Sequence, residues 1–444
     1  MSKIILSGLL VFIIIFSCLA RGAVAPFPLA IIESMAGIII LYWLIEMIIK
    51  KRLSFIKVSF LIPIALFFGL IFFQLLPLSL SFLKIISPKT AALYVYLIPQ
   101  EVTKSFFCLS VYPYATILEL LKIAVYFGIF VFIINKIETK RQCNLILNTI
   151  ITLGTCISIF AFIQRYALAQ QATSVTSAYG PFFNRNNFAG YINMVIPLTL
   201  GYFLYEKSLN KKTIYGFCIV IMSLALFLSL SRAGISVYIL GLIFILLFSR
   251  AKDTLREKSG ILTIWIIVVI LSFFFFIDLR VVWKALGSLF RQETLVVLGH
   301  GYSWGDIIRI WKDFPVFGTG LGTFVNMSAM YKSTADQSLF IYAHNDYLQL
   351  LSETGLAGSF FIFLFFVQYF RSLFKVWMNR RDHYAVCIVF GAMASLFVML
   401  VYSFLDFNLH IPANALLFSV ITGLAYRIAF TQFIQNNEAR PGVA

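Results

Sequence analysis

Twelve apolar stretches punctuate the chain, at 4–20, 29–49, 58–76, 114–134, 144–164, 187–205, 213–230, 234–248, 261–277, 356–370, 385–404 and 412–427. Most come close to the roughly 20 residues that an apolar helix needs to cross a bilayer. The pattern predicts an all-α polytopic membrane protein with about twelve transmembrane helices. Two polar segments between the stretches are too long to be simple connectors, one at 77–113 and one from 278 to about 347. Segments of that length in a compact protein usually carry function. The later one holds Trp283, Trp304 and Trp311 and has helical periodicity. The expected organisation is therefore N-terminal transmembrane helices with one outer loop over 1–180, a transmembrane core over 181–430 that includes the loop 278–347, and a polar tail over 431–444. The first stretch has no convincing small-residue cleavage site and is read as a retained span.

Composition sharpens this. Of 444 residues, 61% are hydrophobic and 12% charged, against about 25% charged in a soluble domain. A net charge of +17 would suit a nucleic-acid binder if it were gathered in one soluble domain. Instead the cations sit in short clusters between apolar stretches, so no nucleic acid is expected. Lys50, Lys51, Arg52 and Lys57 form one cluster, Lys136, Lys140 and Arg141 the next, and Lys207, Lys211 and Lys212 another. Arg250, Lys252, Arg256 and Lys258, then Arg371, Lys375, Arg380 and Arg381, complete the set. The alternate short loops hold only Arg21, Arg165, Arg185 and Arg232. Positive loops stay inside, which puts both termini in the cytoplasm and both long segments outside. The six cysteines have no CxxC or metal-ligand spacing, and no disulfide is expected.

The outer segments hold the candidate chemistry. Over 304–313, Trp304, Ile307, Ile308 and Trp311 share one helical face, which suits a helix lying on the bilayer surface with tryptophans at headgroup level. Arg309 lies on the other face, three residues after Asp306 and four before Asp313, where a plain solvent-face salt bridge is one reading. GTGLGTF, at 318–324, looks superficially like a phosphate loop. It lacks the strand–turn–helix context and the lysine of one, so a tight turn is expected. AHNDYLQLLSETGLAG, at 343–358, predicts a short helix beginning near His344 and stopping at Gly355. Asn345, Gln349, Ser352 and Glu353 form one stripe of it, and Tyr347, Leu350 and Leu351 another. At a helix N-terminus the dipole disfavours imidazolium, so His344 suits a general base; equally, it could simply bond a neighbouring loop. Arg185 and Arg232 begin spans on the outer side, where cations are otherwise sparse. Their planar forks suit a pyrophosphate at the lipid–water boundary, whereas snorkelling is the plainer alternative. The histidines lack HExxH-like spacing and no GxSxG elbow is present, so neither a metal site nor a serine triad is indicated.

Five blocks in order carry a family likeness: FNRNNFAGYINMVIPL at 183–198, LSLSRAGI at 228–235, RIWKDFPVFGTGLGTF at 309–324, HNDYLQLLSETGLAG at 344–358 and SFLDFNLHIPANA at 403–415. Together they resemble the O-antigen ligase and O-antigen polymerase superfamily of bacterial membrane glycosyltransferases. The resemblance implies a twelve-span, GT-C-like helical fold in the inner membrane with a helical periplasmic loop. It also implies metal-independent, cofactor-free transfer of a glycan from an undecaprenyl-pyrophosphate donor to an acceptor hydroxyl, with inversion. The catalytic histidine of the motif falls on His344, and the pyrophosphate-binding arginines fall on Arg185, Arg232 and Arg309. Asn187, Asn345, Glu353, Asp406 and His410 are secondary candidates. The expected partners are the lipid-linked donor, a lipid A–core or glycan acceptor, and membrane lipids. Ligation to lipid A–core is the leading expectation; polymerisation and transfer to protein hydroxyls share the signature. A polyprenyl-sugar transporter is the alternative of another class. The scarcity of acidic residues within the spans and the lack of repeated halves speak against it.

Overall fold

The computed structural model describes residues 2–51, 60–97, 106–169, 177–258, 304–333 and 340–432, with a few isolated positions between them. In chain order the helices are α1 (Ser2–Leu19), α2 (Pro26–Ile49), α3 (Leu61–Leu75), α4 (Leu80–Ile86), α5 (Pro88–Leu97), α6 (Pro113–Lys136), α7 (Lys140–Ala169) and α8 (Arg185–Tyr205). They continue with α9 (Leu209–Leu228), α10 (Arg232–Ser249), α11 (Asp253–Arg256), α12 (Trp304–Asp313), α13 (Phe324–Tyr331), α14 (Asp346–Asn379), α15 (His383–Tyr402) and α16 (Pro412–Phe430). Among the described residues, nine helices are long and apolar enough to cross a membrane, and α3 and part of α1 are shorter apolar helices. The apolar stretch 261–277 lies largely outside the described residues, as does loop 278–303. The fold is thus a polytopic helical bundle.

The helices start where the sequence offers a cap. Pro26, Pro113 and Pro412 open α2, α6 and α16, a position where the missing N–H loses nothing. Asn184, Ser231, Asn345 and Asp382 each accept a first-turn N–H at the starts of α8, α10, α14 and α15, which satisfies donors that the helix itself leaves free.

Helices α8, α15 and α16 form the centre. More than four fifths of each one's most apolar window is buried, against 22% for α2. Glycine allows α8 and α15 to touch backbone to backbone. A Cβ at Gly201 would stand 2.8 Å from the Cys387 carbonyl oxygen, and one at Gly391 would stand 2.5 Å from that of Pro197. Close approach through small residues is how helices gain packing where lipid supplies no hydrophobic drive. The outer helices α2, α6, α9 and α10 keep Leu, Ile and Phe side chains exposed, as lipid-facing surfaces must.

One end of the bundle gathers the cations. Lys136 pairs with Glu46, Lys140 donates to the Tyr205 hydroxyl at 2.9 Å, and Arg427 donates to the Ile137 and Ile134 carbonyls. The opposite end carries the two long segments, which pack on each other. In the first, a two-residue antiparallel ladder joins Leu78–Ser79 to Phe106–Phe107. Val111 N–H then donates to Thr319 O at 2.9 Å, and the Phe73 and Phe317 rings lie 5.5 Å apart.

Helix α12 is amphipathic as expected, and one side of it packs inward. Its buried side is Asp306, Ile307 and Ile310, packed with Phe314, Phe324, Met327 and Ala343. Trp304 is 53% exposed. The inward face is therefore rotated from the tryptophan stripe, because α13 and the residues before His344 supply an apolar surface for it.

Candidate functional site

The site is built around a break in α14. Gly355 adopts φ 64° and ψ −167° and divides the helix, as a glycine stop there predicts. A Cβ at Gly355 would fall 2.2 Å from the Val316 carbonyl oxygen, so only glycine fits both the backbone angle and the contact. Backbone freed by such a break must find partners, most of all near lipid. The chain before and within the glycine loop provides them. Leu356 and Ala357 N–H donate to Pro315 and Val316 O, while Thr319 and Gly320 N–H donate to Ser352 and Glu353 O. The loop is therefore more than a turn after a helix. It cradles a carboxylate: Glu353 accepts from Gly322 N–H at 2.8 Å, Phe324 N–H at 3.2 Å and Gln349 Nε2 at 3.1 Å. Gln74 of α3 stitches the loop to the break. Its Nε2 donates to Phe317 O at 2.7 Å and to Glu353 O at 3.0 Å, and its Oε1 accepts from Leu321 N–H at 3.1 Å.

The first part of α14 turns its polar stripe inward. Asn345, Gln349, Ser352 and Glu353 are all buried, whereas Tyr347, Leu350 and Leu351 are half-buried. Asn345 is the helix cap, accepting from Leu348 N–H at 3.0 Å while its Nδ2 donates to Phe404 O at 3.1 Å.

His344 immediately precedes that cap, with φ 49°. Non-glycine residues rarely hold this conformation, and it concentrates at functional positions. Its Nδ1 lies 2.9 Å from Asp406 Oδ1, and its ring stands edge-on to Phe407 at 4.6 Å. Asp406 lies in the turn between α15 and α16 and is fully buried. An ionised carboxylate only accepts hydrogen bonds, so in the neutral ring the hydrogen sits on Nδ1 and Nε2 keeps the lone pair. Tautomer and ring orientation thus come from Asp406. The helix-end dipole, invoked from sequence alone, is not the group that touches the ring. Asp406 Oδ1 also accepts from Phe407 N–H at 2.9 Å, and Oδ2 has no hydrogen-bond partner among the described residues.

A second pair crosses the first. His410 Nδ1 lies 2.7 Å from Asp346 Oδ1, and Leu409 N–H donates to Asp346 Oδ2 at 3.2 Å. Burial disfavours charge on His410, but the hydrogen bond and field of Asp346 outweigh it and raise its pKa above the usual histidine value.

Arg185 and Arg232 open α8 and α10, both exposed. Their helix ends are tied together. The Ser231 hydroxyl donates to Asn186 Oδ1 at 2.8 Å and lies 3.0 Å from the Tyr402 hydroxyl, which donates to Asn186 O at 3.2 Å. Asp406 N–H donates to Tyr402 O at 3.0 Å, so Tyr402 links this arginine end to the turn that holds Asp406. Arg309 lies on α12, which packs against Ala343 beside His344; it pairs with buried Asp306 and donates to Tyr331 O at 3.4 Å. Asp313, the other carboxylate expected for it, accepts from the Tyr331 hydroxyl at 2.6 Å and lies 3.4 Å from Lys89. Asn187 is buried within α8, its carbonyl accepting from Asn414 Nδ2 at 3.1 Å. Sequence reasoning passed over Asp346, Gln74 and Tyr402. The signal for Gln74 was available, as a lone amide near the end of an apolar helix.

Helical spans enclosing a histidine–carboxylate site at one end, with arginines at two neighbouring helix starts, define a polytopic membrane protein with an ionisable site at its surface. A protein-family model described as O-antigen ligase matches residues 217–364, and the superfamily resemblance drawn from the motifs holds over that stretch. The match takes in Arg232, Arg309, His344 and Glu353; Arg185, Asp406 and His410 lie beyond it. A comparison with curated proteins gives no match.

Proposed function

We propose that the protein transfers a glycan from undecaprenyl pyrophosphate to an acceptor hydroxyl, as a ligase acting on lipid A–core at the periplasmic face of a bacterial inner membrane. The observation that carries this reading is the His344–Asp406 pair, with Nδ1 on the carboxylate, in a segment matched by the O-antigen ligase model. The basic end of the bundle supports a cytoplasmic assignment for that end and for both termini, which leaves His344 outside. A twelve-span, GT-C-like architecture belongs to the same reading.

In this mechanism the polyprenyl tail lies along the spans, and its pyrophosphate meets Arg185 and Arg232, with Arg309 as a third cation. Arginine forks grip phosphate oxygens in pairs, and positive helix starts add to the field. Nε2 of His344 takes the proton of the acceptor hydroxyl. The oxygen attacks the anomeric carbon, the bond to pyrophosphate breaks with inversion, and Nδ1–H remains on Asp406. Pyrophosphate is a good leaving group, so positioning and charge stabilisation suffice without a metal.

The test is complementation of a gene deletion with wild type or His344→Ala, followed by gels of lipopolysaccharide and exopolysaccharide. A ligase restores long glycan on the lipid A–core band, and the His344→Ala strain accumulates lipid-linked polymer instead. Loss of polymer length itself would mark a polymerase. Full complementation by His344→Ala at equal protein level would sink the catalytic role.

A further inference from the structure

The outer halves of α2 and α6 carry ionisable residues that this mechanism leaves unused. On α6, Lys122 Nζ lies 2.7 Å from Glu119 Oε2. Neither faces lipid freely: their side chains are 10% and 19% exposed. Glu33 of α2 feels both charges. Lys122 also feels Tyr342 and Glu353, and His410 feels Glu119 and Lys122. The Tyr342 ring stacks on Phe407 at 4.7 Å, the same ring that His344 meets edge-on. A Cβ at Gly322 would touch Glu119 Cβ at 3.0 Å, so the pair also abuts the loop that cradles Glu353. The cluster is thus continuous with the His344 site, although α6 lies outside residues 217–364.

An ion pair largely removed from water recovers little net stability compared with apolar residues of the same shape, and ionisable groups within spans usually mark function. The electrostatics of the two sides of His344 differ. On the Tyr402 side stand Arg185 and Arg232. On the Tyr342 side the cations Lys122 and His410 are each already paired with a carboxylate, Glu119 and Asp346, so no unpaired cation of these pairs faces a ligand. A second anion is unwelcome there. A hydroxyl-rich neutral sugar is suited, because carboxylates accept from its hydroxyls and an ammonium donates to them.

We propose that the Glu119–Lys122 pair is a subsite for the acceptor, binding neighbouring hydroxyls of a neutral saccharide whose attacking oxygen is presented to His344. This rests on the glycan-transfer reading above. In-line displacement requires nucleophile and leaving group on opposite sides of the anomeric carbon, which suits an acceptor subsite remote from the arginines.

The test uses the full chain in nanodiscs, with an undecaprenyl-pyrophosphate-linked glycan as donor, purified lipid A–core as acceptor, and each varied in turn. Glu119→Gln and Lys122→Met should each raise the acceptor KM about tenfold, the scale of a hydrogen bond to a charged group, and leave the donor KM within about twofold. The exchange Glu119→Lys with Lys122→Glu keeps an ion pair, so its thermal midpoint should approach wild type while the acceptor KM stays high. That variant separates sugar recognition from folding. An unchanged acceptor KM in an active enzyme, or a rise in donor KM in its place, overturns the subsite alone. A wild-type protein no more active than His344→Ala overturns the transfer reading, and the subsite with it.

Discussion

Two histidine–carboxylate pairs link the same two segments in crossed order, yet their settings differ. His410 and Asp346 form a closed unit, since both Asp346 oxygens are engaged, by the imidazole and by Leu409 N–H. The His344–Asp406 pair differs: Asp406 Oδ2 is without a hydrogen-bond partner among the described residues, and the His344 backbone holds a left-handed conformation. On the proposed mechanism, the same chemistry serves as a brace in one place and as a working group in the other. Unspent hydrogen-bonding capacity and stored backbone strain distinguish them.

The largest expected effect separates the two histidines. His344→Ala should lower glycan transfer by roughly 10²–10⁴-fold, the usual contribution of a general base, and His344→Gln, whose amide keeps a donor for buried Asp406, should do so with little change of the unfolding midpoint in detergent. His410→Ala should instead destabilise the fold by on the order of 3 kcal/mol, as Asp346 loses its partner in a largely buried site, measured by thermal unfolding. If the two outcomes were exchanged, brace and working group have been assigned the wrong way round. Next in size, Asp406→Asn should slow transfer about 10²-fold, because an amide can hold the ring in the wrong tautomer; a rate within threefold of wild type, roughly, would show that the ring needs no carboxylate.

Smaller effects sharpen the picture. Arg232→Lys keeps charge but loses the fork, and should raise the donor KM about tenfold. Arg309→Lys should change it by less than about twofold, since Arg309 is half exposed and already held by Asp306. Equal effects would bring Arg309 back into the anion site. The smallest effect is on pH dependence. His410 has a raised pKa in the fold, so its pairing stabilises fully below the unfolded value of about 6.5. That stability is lost as pH rises through the raised folded value. The midpoint of the wild type should fall over that window, and Asp346→Asn should flatten the fall.

Much of the bundle was legible from hydropathy, because a span must satisfy its own backbone and present apolar side chains outward. The stop at Gly355 and the polar stripe of α14 followed from local spacing; that the stripe turns inward is a tertiary fact. The site itself was only half legible. His344 and the arginines stood out as ions in an apolar chain, but nothing near His344 in sequence names Asp406, 62 residues away. The α12 stripe was half legible: Ile307 packs inward, while Ile310 and Phe314, rather than Trp304, complete the contact with α13 and Ala343. Periodicity locates a stripe; what covers it is a tertiary fact. The glycine loop forms the tight turn its glycines suggest, with positive φ at Gly318, Gly320 and Gly322. That its N–H groups would gather around the Glu353 carboxyl of the same chain was not legible.

Gln74 bears on how the protein is made. Its partners Phe317, Leu321 and Glu353 follow it by 243, 247 and 279 residues. At roughly 5–20 residues per second of synthesis, α3 reaches the membrane some tens of seconds before they exist. During that interval the Gln74 amide lacks the three partners it holds in the folded protein. The outer cap must therefore close late, once the glycine loop and the first part of α14 have both been made.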